Sequence, residues 1–122
     1  MAIKISIVMA TYNGAKYLEE QLNSFIMQSR RPDELVICDD KSSDNTYEVL
    51  IEFAKAAPFE VLIKRNKMKL GYAQNFSRAL SLCTGDLVFL SDQDDIWFPE
   101  KIETVTNIAK NDLYNQVFMN DA

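Results

Sequence analysis

Leu87-Val88-Phe89-Leu90, followed at once by Ser91-Asp92-Gln93-Asp94-Asp95, is the stretch of sequence that decides the fold. The four apolar residues are typical of a strand that is buried on both faces of a parallel sheet. The carboxylates that follow then lie at the carboxyl end of this strand, where sheets of this kind bind ligands. Crowded carboxylates lose hydration and repel one another, so a bound cation normally compensates them. We therefore predict an α/β protein with a divalent metal site after this strand.

Strand and helix patterns alternate along the rest of the chain. Near-continuous apolar runs predict strands, and apolar residues at helical spacing predict amphipathic helices between them. The predicted strands span Ile3 to Ala10, Leu35 to Cys38, Phe59 to Lys64 and Asp86 to Leu90, and a fifth starts at Val117 to Met119. The predicted helices span Ala15 to Gln28, Asp44 (as the cap) to Ala57, Tyr72 to Cys83 and Pro99 to Lys110. The inward positions of the last two helices are predicted to be Phe76, Leu80 and Cys83, and Ile102, Val105 and Ile108.

This alternation predicts a single domain over residues 1–122, built on a mainly parallel sheet with helices on both faces and right-handed crossovers. Ligands in such sheets bind where the winding direction reverses. If the first four strands are ordered 3-2-1-4, that point lies between strands one and four. Thr11-Tyr12-Asn13-Gly14 then lies beside Asp92 to Asp95, and Asp39-Asp40 lies one strand further along.

Composition excludes several classes of function. A net charge of −5 argues against a nucleic-acid partner, because such binding needs clustered Lys and Arg. The chain has no histidine and only Cys38 and Cys83 as cysteines, which removes the common zinc frameworks and the Ser-His and Cys-His nucleophilic pairs. No apolar stretch is long enough to cross a bilayer, and the start lacks the layout of a signal peptide. We therefore expect a cytoplasmic protein.

The residues after the fourth strand are the metal candidates. Asp92 and Asp94 can each offer an oxygen to Mg²⁺ or Mn²⁺, which keep further positions for water and phosphate oxygens. The alternative is a solvated turn that caps the next helix. The nearby Trp97 and Phe98 favour the metal site, because a stiff apolar wall is unusual for a free loop.

Polar residues after the first two strands are the binding candidates. Asp39 and Asp40 can accept hydrogen bonds from a nucleobase imide or a ribose hydroxyl, although they also fit an ordinary turn. Thr11 and Tyr12 offer a hydroxyl and a ring for hydrogen bonding and stacking, with a plain β-to-α turn as the alternative. The sequence contains neither of the glycine-rich phosphate-binding motifs G-x-x-x-x-G-K-[ST] and G-x-G-x-x-G. A metal held by carboxylates would therefore have to bind the phosphates. Lys69, Gly71, Gln74 and Asn75 either approach the same crevice or form a solvated helix entrance.

Four segments, in order, resemble the nucleotide-sugar-binding half of family 2 glycosyltransferases of the GT-A type. Ile5 to Asn13 is similar to the family's opening motif, and Leu35 to Asp44 to its second. Leu70 to Asn75 is similar to the third segment, and Phe89 to Asp95 to the D-x-D signature. The resemblance implies a Rossmann-like GT-A sheet that this chain contains only in part.

The resemblance also implies roles for the candidate residues. Thr11, Tyr12 and Asp40, with Asp39 as the weaker candidate, would hold the base and ribose of a UDP- or dTDP-linked sugar, and Asn75 would belong to the same site. Asp92 and Asp94 would bind the ribose-diphosphate region through Mg²⁺ or Mn²⁺, with Asp94 as the stronger candidate for direct ligand. The implied reaction is inverting transfer to a saccharide or lipid-linked hydroxyl acceptor, in surface polysaccharide synthesis in the cytoplasm or at the inner face of the membrane.

The pattern departs from the family at its carboxyl end. Family members supply the general base well downstream of the D-x-D motif, so we expect it beyond residue 122; Asp121, near a chain end, is a poor candidate. We expect a donor-binding half that is inactive alone and can form a homodimer through an open sheet edge. One alternative is a non-catalytic nucleotide-binding remnant or truncated fragment. Two others are a receiver domain, which requires an acidic pair after strand one, and a nucleotidyltransferase, which requires a glycine-rich basic loop there.

Overall fold

The computed structural model describes residues 2–92 and 95–119, and from residue 113 onward only the backbone. Strands and helices alternate along this part of the chain, as the sequence predicts. They are β1 (Ile5–Thr11), α1 (Ala15–Ile26), β2 (Glu34–Asp39), α2 (Thr46–Ala56), β3 (Glu60–Arg65), α3 (Tyr72–Leu82), β4 (Leu87–Ser91) and α4 (Lys101–Met119).

The four strands form one parallel sheet in the order β3-β2-β1-β4. This is the predicted order, so the winding direction reverses between β1 and β4. The register places Thr11 opposite Asp39 and Met9 opposite Ser91. The polar residues that end β1, β2 and β4 therefore lie at one edge of the sheet.

Helices cover both faces of the sheet, and each face has its own core. Alternate residues of β1 and β2 point to opposite faces, as the pleat of a strand requires. The larger cluster joins Ile5, Ile7, Met9, Leu35 and Ile37 to Leu18, Leu22 and Phe25 of α1, Leu50 of α2, and Trp97 and Ile102. The smaller cluster joins Val8, Val36 and Cys38 to Ala79 of α3. The predicted α/β class and two-sided covering are confirmed.

The N-cap residue of α2 is Asn45, without a side-chain capping bond, and the predicted cap Asp44 lies one position earlier and acts on the same end of the helix. A carboxylate oxygen of Asp44 accepts a hydrogen bond of 2.9 Å from the backbone N–H of Thr46, the first residue of the helix. Such bonds satisfy amide groups that have no partner inside the helix.

The predicted fifth strand at Val117 to Met119 is wrong, because α4 continues to Met119. The chain has no glycine or proline after Pro99, so nothing in the sequence interrupts the helix. The predicted inward face of α4 is also only partly right. Ile102 is buried together with Thr106, one turn further on, whereas Val105 is 38% and Ile108 56% exposed. Both exposed residues lie to the side of the buried stripe.

The predicted inward face of α3 is also only partly right, since Phe76 and Cys83 are partly buried and pack against the smaller cluster. Leu80 is 44% exposed, and Asn75 and Ala79 are the buried residues of the helix. Asn75 takes a core position because its side-chain amide donates a 2.9 Å hydrogen bond to the carbonyl of Cys38 in β2. A pattern of apolar residues cannot reveal such a polar contact.

Candidate functional site

A cavity of about 340 Å³ opens at the carboxyl ends of β1 and β2. It lies next to the reversal point between β1 and β4, at the same carboxyl end of the sheet. Polar side chains converge on it from three loops and from α3. Its lining is made by Ala10, Thr11, Tyr12, Asp40, Lys69, Tyr72 and Asn75. The structure thus brings together four of the predicted binding residues: Thr11, Tyr12, Asp40 and Asn75.

A larger cavity of about 470 Å³ lies between α1 and α2, away from the strand ends. Leu22, Val49 and Phe53 contribute to its lining, together with Glu19, Glu48 and Glu52. These glutamates are exposed and solvated. The smaller cavity is the better candidate site, because the buried polar residues Thr11, Asp40 and Asn75 converge there at the ligand-binding end of a parallel sheet.

Asp39 lies behind the cavity wall and organises the turn after β2. One of its carboxylate oxygens accepts hydrogen bonds from the hydroxyls of Thr11 (2.8 Å) and Ser42 (2.6 Å). Its other oxygen accepts one from the backbone N–H of Ser42 (3.0 Å). Asp39 is fully buried and does not line the cavity. Its observed contacts are those of the turn-forming alternative.

Asp40 lines the cavity and is held by three donors. One carboxylate oxygen accepts hydrogen bonds from the Asn66 side chain (2.9 Å) and the Leu70 N–H (2.7 Å), and the other accepts one from the Gly71 N–H (2.9 Å). Burial opposes ionisation of Asp40. These hydrogen bonds and the Lys69 ammonium outweigh burial, however, and they hold the pKa of Asp40 below its ordinary value. Asp40 is therefore a permanently charged acceptor near neutral pH.

Asn66 connects Asp40 to the predicted binding residue Asn75. Its side-chain amide donates to Asp40 and also to the side-chain oxygen of Asn75, at 2.8 Å. Asn66 is buried and follows β3 directly. Sequence reasoning missed this residue, although its position after a strand, at the same edge as Asp39 and Asp40, was a usable signal.

Tyr12 and Lys69 form the exposed rim of the cavity. The Lys69 ammonium lies 4.0 Å from the centroid of the Tyr12 ring, which is a cation–π contact. The ring is 39% exposed. An exposed aromatic face beside a mobile cation suits a flat, anionic ligand.

The turn that carries Tyr12 is tied to the turn after β2. Asn13 has a positive φ of 50°, a conformation that asparagine tolerates better than most residues. Its side-chain oxygen accepts a 2.8 Å hydrogen bond from the Ser43 N–H, and its own N–H donates to the Ser42 hydroxyl at 2.9 Å. Tyr12 therefore projects from a braced turn.

Asp92 lies at the carboxyl end of β4 and is held at two points. The Tyr72 hydroxyl donates to its exposed carboxylate. The buried side-chain amide of Gln21 donates to its carbonyl and to the hydroxyl of Ser91, the latter at 3.0 Å. The bond to Asp92, with burial adding to it, raises the pKa of Tyr72, so this hydroxyl stays protonated. Sequence reasoning missed Tyr72 and Gln21.

The second metal candidate, Asp94, lies outside the described residues. Asp95 accepts a 3.2 Å hydrogen bond from the indole N–H of Trp97, whose ring packs in the core 4.9 Å from that of Phe25. Phe98 is 81% exposed, so only Trp97 is part of a stiff apolar wall. Within the described part of the chain, no three acidic or thiol groups cluster closely enough to hold a metal ion. Asp92 fits a Mg²⁺ or Mn²⁺ site of the kind that uses one or two carboxylates and completes its shell with phosphate and water.

Comparison with known proteins gives one consistent family. The model of glycosyl transferase family 2 matches residues 6–120. The chain is 41% identical to dTDP-rhamnosyl transferase RfbG of Shigella flexneri, over 78% of this chain and 34% of RfbG.

Solved structures give the same result. TarS of S. aureus, whose structure is known in complex with UDP, superposes with a TM-score of 0.81 at 26% identity, over 89% of this chain and 32% of TarS. The mannosyltransferase PcManGT of Pyrobaculum calidifontis, in complex with GDP-Man and Mn²⁺, has a TM-score of 0.72 at 27% identity, over 80% of this chain and 29% of PcManGT. The chain thus spans about a third of the length of each of these proteins. Of the helices in residues 2–92 and 95–119, none is long and apolar enough to cross a membrane.

Proposed function

We propose that this chain, which belongs to glycosyl transferase family 2, forms the donor-binding domain of an enzyme that transfers a sugar from a nucleoside-diphosphate sugar to a hydroxyl acceptor. The observation that carries the proposal is the cavity where Tyr12, Asp40 and Lys69 converge at the carboxyl end of the sheet, next to its reversal point. Ring, carboxylate and ammonium match the base, the ribose and the phosphates of such a donor.

The base and ribose are assigned to Thr11, Tyr12, Asp40 and Asn75. The exposed Tyr12 ring offers a face on which a base can stack. A carboxylate has about four lone-pair sites, and three on Asp40 are used by internal donors. One acceptor position is left for a ribose hydroxyl or a pyrimidine imide N–H. Asp39 and Thr11 support this site from behind through their mutual hydrogen bond.

The diphosphate and its Mg²⁺ or Mn²⁺ are assigned to Asp92 and Asp94, with Asp94 as the stronger candidate for direct ligand. The D-x-D spacing of Asp92-Gln93-Asp94 and the Mn²⁺ bound by PcManGT support this assignment. A bound cation would neutralise charge on the departing diphosphate. The Lys69 ammonium, at the rim of the same cavity, adds a positive charge from the chain itself.

The donor class is proposed from the relatives. TarS is known in complex with UDP and with UDP-GlcNAc, and RfbG is named a dTDP-rhamnosyl transferase. A UDP- or dTDP-linked sugar is therefore the proposed donor, and a saccharide or lipid-linked hydroxyl the proposed acceptor. We place the reaction in surface polysaccharide synthesis, in the cytoplasm or at the inner face of the membrane. A homodimer through the exposed side of β4 belongs to the same proposal.

Titration calorimetry with UDP, dTDP and GDP, each with and without Mn²⁺, tests the proposal. We expect UDP or dTDP to bind more tightly with Mn²⁺, and Asp94→Ala to remove that gain. Glu20→Gln, on the exposed face of α1, is the matched control for loss of a negative charge. Nucleotide binding that neither Mn²⁺ nor Asp94→Ala changes would contradict the metal assignment, and the absence of any nucleotide binding would contradict the proposed function.

A further inference from the structure

We propose that Tyr72 is a positioning residue that orients the Asp92 carboxylate toward the metal-bound diphosphate of the donor. This inference rests on the proposed function. It begins from the contact between the Tyr72 hydroxyl, on the first residue of α3, and a carboxylate at the end of β4.

Asp92 needs such support because its side chain is exposed. An exposed carboxylate on a strand end rotates freely, and ordering it on binding costs side-chain entropy. The Tyr72 hydroxyl restricts this rotation from the α3 side. Gln21 restrains the backbone from the opposite side, through the carbonyl of Asp92 and the hydroxyl of Ser91. The carboxylate is thus held in place before the ligand arrives.

Tyr72 is 62% exposed, and its ring makes one aromatic contact among the described residues. Its ring packs against that of Phe76, one turn along α3, with centroids 5.7 Å apart. Gly71, directly before it, donates its N–H to Asp40. Tyr72 also lines the cavity with Tyr12 and Lys69. The start of α3 therefore links Asp40, the proposed acceptor for the base or ribose, to Asp92, the carboxylate at the diphosphate end.

In other proteins, removing a hydrogen bond that orients a metal ligand lowers the metal affinity about 10-fold to 100-fold. Because a tyrosine hydroxyl leaves the second carboxylate oxygen and the remaining lone pairs available, it orients Asp92 without blocking it. The effect of Tyr72 should therefore be on the metal-dependent part of donor binding.

Tyr72→Phe isolates the hydroxyl, because phenylalanine keeps the ring and its packing on Phe76. UDP affinity is measured by calorimetry with and without Mn²⁺, and the ratio of the two affinities is the readout. We expect this ratio to fall about 10-fold in the variant. Tyr17→Phe, which removes a hydroxyl from a tyrosine on α1 that is 44% exposed, is the control and should keep the wild-type ratio. Far-ultraviolet circular dichroism and the thermal midpoint verify that both variants fold.

Two results would overturn the inference, namely a wild-type ratio in Tyr72→Phe and a higher ratio. An unchanged ratio in which both affinities fall equally would assign Tyr72 to direct nucleotide contact. The proposed function fails by a different sign, namely the absence of any nucleotide binding by the wild-type protein itself. The two failures are therefore distinguishable in the same set of titrations.

Discussion

At the scale of single residues, Asp40 shows how a buried carboxylate stays charged. The residue is 2% exposed, which by itself would favour the neutral form. Two backbone N–H groups and one side-chain amide point at its oxygens and reverse that preference. The same contacts tie the turn after β2 to the loop before α3. One side chain thus serves both folding and the proposed recognition of the donor.

Asp40→Asn should destabilise the fold by about 2 kcal/mol at pH 7, because an amide at this position cannot accept from all the donors and leaves the Gly71 N–H without an acceptor. The folded pKa of Asp40 is lowered, so its stabilisation is fully present above the unfolded pKa of about 3.9 and is lost as the pH falls through the lower folded pKa. The difference between wild type and variant should therefore shrink below about pH 4. Urea unfolding followed across pH 3 to 7 measures it.

Glu20→Gln, which removes an exposed carboxylate from α1, is the control for Asp40→Asn. Its effect should stay within about 0.5 kcal/mol at every pH. A difference for Asp40→Asn that stays constant down to pH 3 would show that ionisation of Asp40 contributes nothing to stability.

At the scale of elements, the candidate site is built where strands end and helices begin. The apolar runs predict strands that end at Ala10, Cys38 and Leu90, and each observed strand continues for one more residue, which is polar. Thr11 and Asp39 are two of these residues, and their side chains hydrogen-bond each other across the sheet edge. The last residues of the paired strands thus belong to the candidate site. Gly71 then positions the start of α3.

Gly71→Ala should destabilise the protein by about 1 to 3 kcal/mol through backbone strain alone. Gly71 has φ 89° and ψ 161°, a conformation that is essentially restricted to glycine. An added Cβ would meet no atom within 4 Å, so steric clash contributes nothing. Chemical denaturation measures the change, with Met68→Ala as the control in the same loop, where the side chain is 69% exposed. An unchanged midpoint in Gly71→Ala would contradict the strained backbone.

The elements show which features a sequence can predict. Strand positions and the parallel sheet follow from apolar runs that alternate with helices, whereas the order β3-β2-β1-β4 entered only as a condition that the structure meets. Val117 to Met119 is locally ambiguous, because a short apolar run fits a strand or a helix, and the absence of a helix breaker decided for the helix. The buried stripe of α3 was mispredicted because Asn75 is polar.

The candidate site likewise contains residues that a sequence can predict and residues that it cannot. Thr11, Tyr12 and Asp40 follow apolar strands, so topology alone places them at one edge of the sheet. Tyr72 and Gln21 act through hydrogen bonds to a residue 20 or more positions away, a pairing that no local pattern contains. Such residues become visible only when the tertiary structure brings them together.

At the scale of the whole molecule, the chain contains the proposed donor cavity, and the described residues that line it include no suitable general base. Asp40 is the acidic residue in the cavity lining, and its pKa is lowered. A base that deprotonates an acceptor hydroxyl works best with a pKa near the operating pH. RfbG and TarS are each about three times as long as the matched region. Because the chain belongs to family 2, the receiver-domain and nucleotidyltransferase alternatives are excluded.

We therefore expect the protein of these 122 residues to bind UDP or dTDP without transferring a sugar. The cavity and both acidic strand ends lie within this chain, so the chain alone should still bind nucleotide. Acceptor activation, in contrast, needs a carboxylate that the described site does not provide.

Transfer is measured by a coupled assay for release of nucleoside diphosphate from UDP- and dTDP-sugars, with saccharide and lipid-linked acceptors. Calorimetry on the same sample measures binding. Asp92→Asn supplies the background rate. Release by the wild-type chain well above that background would place a working base within residues 1–122 and contradict the division proposed here between donor binding and acceptor activation.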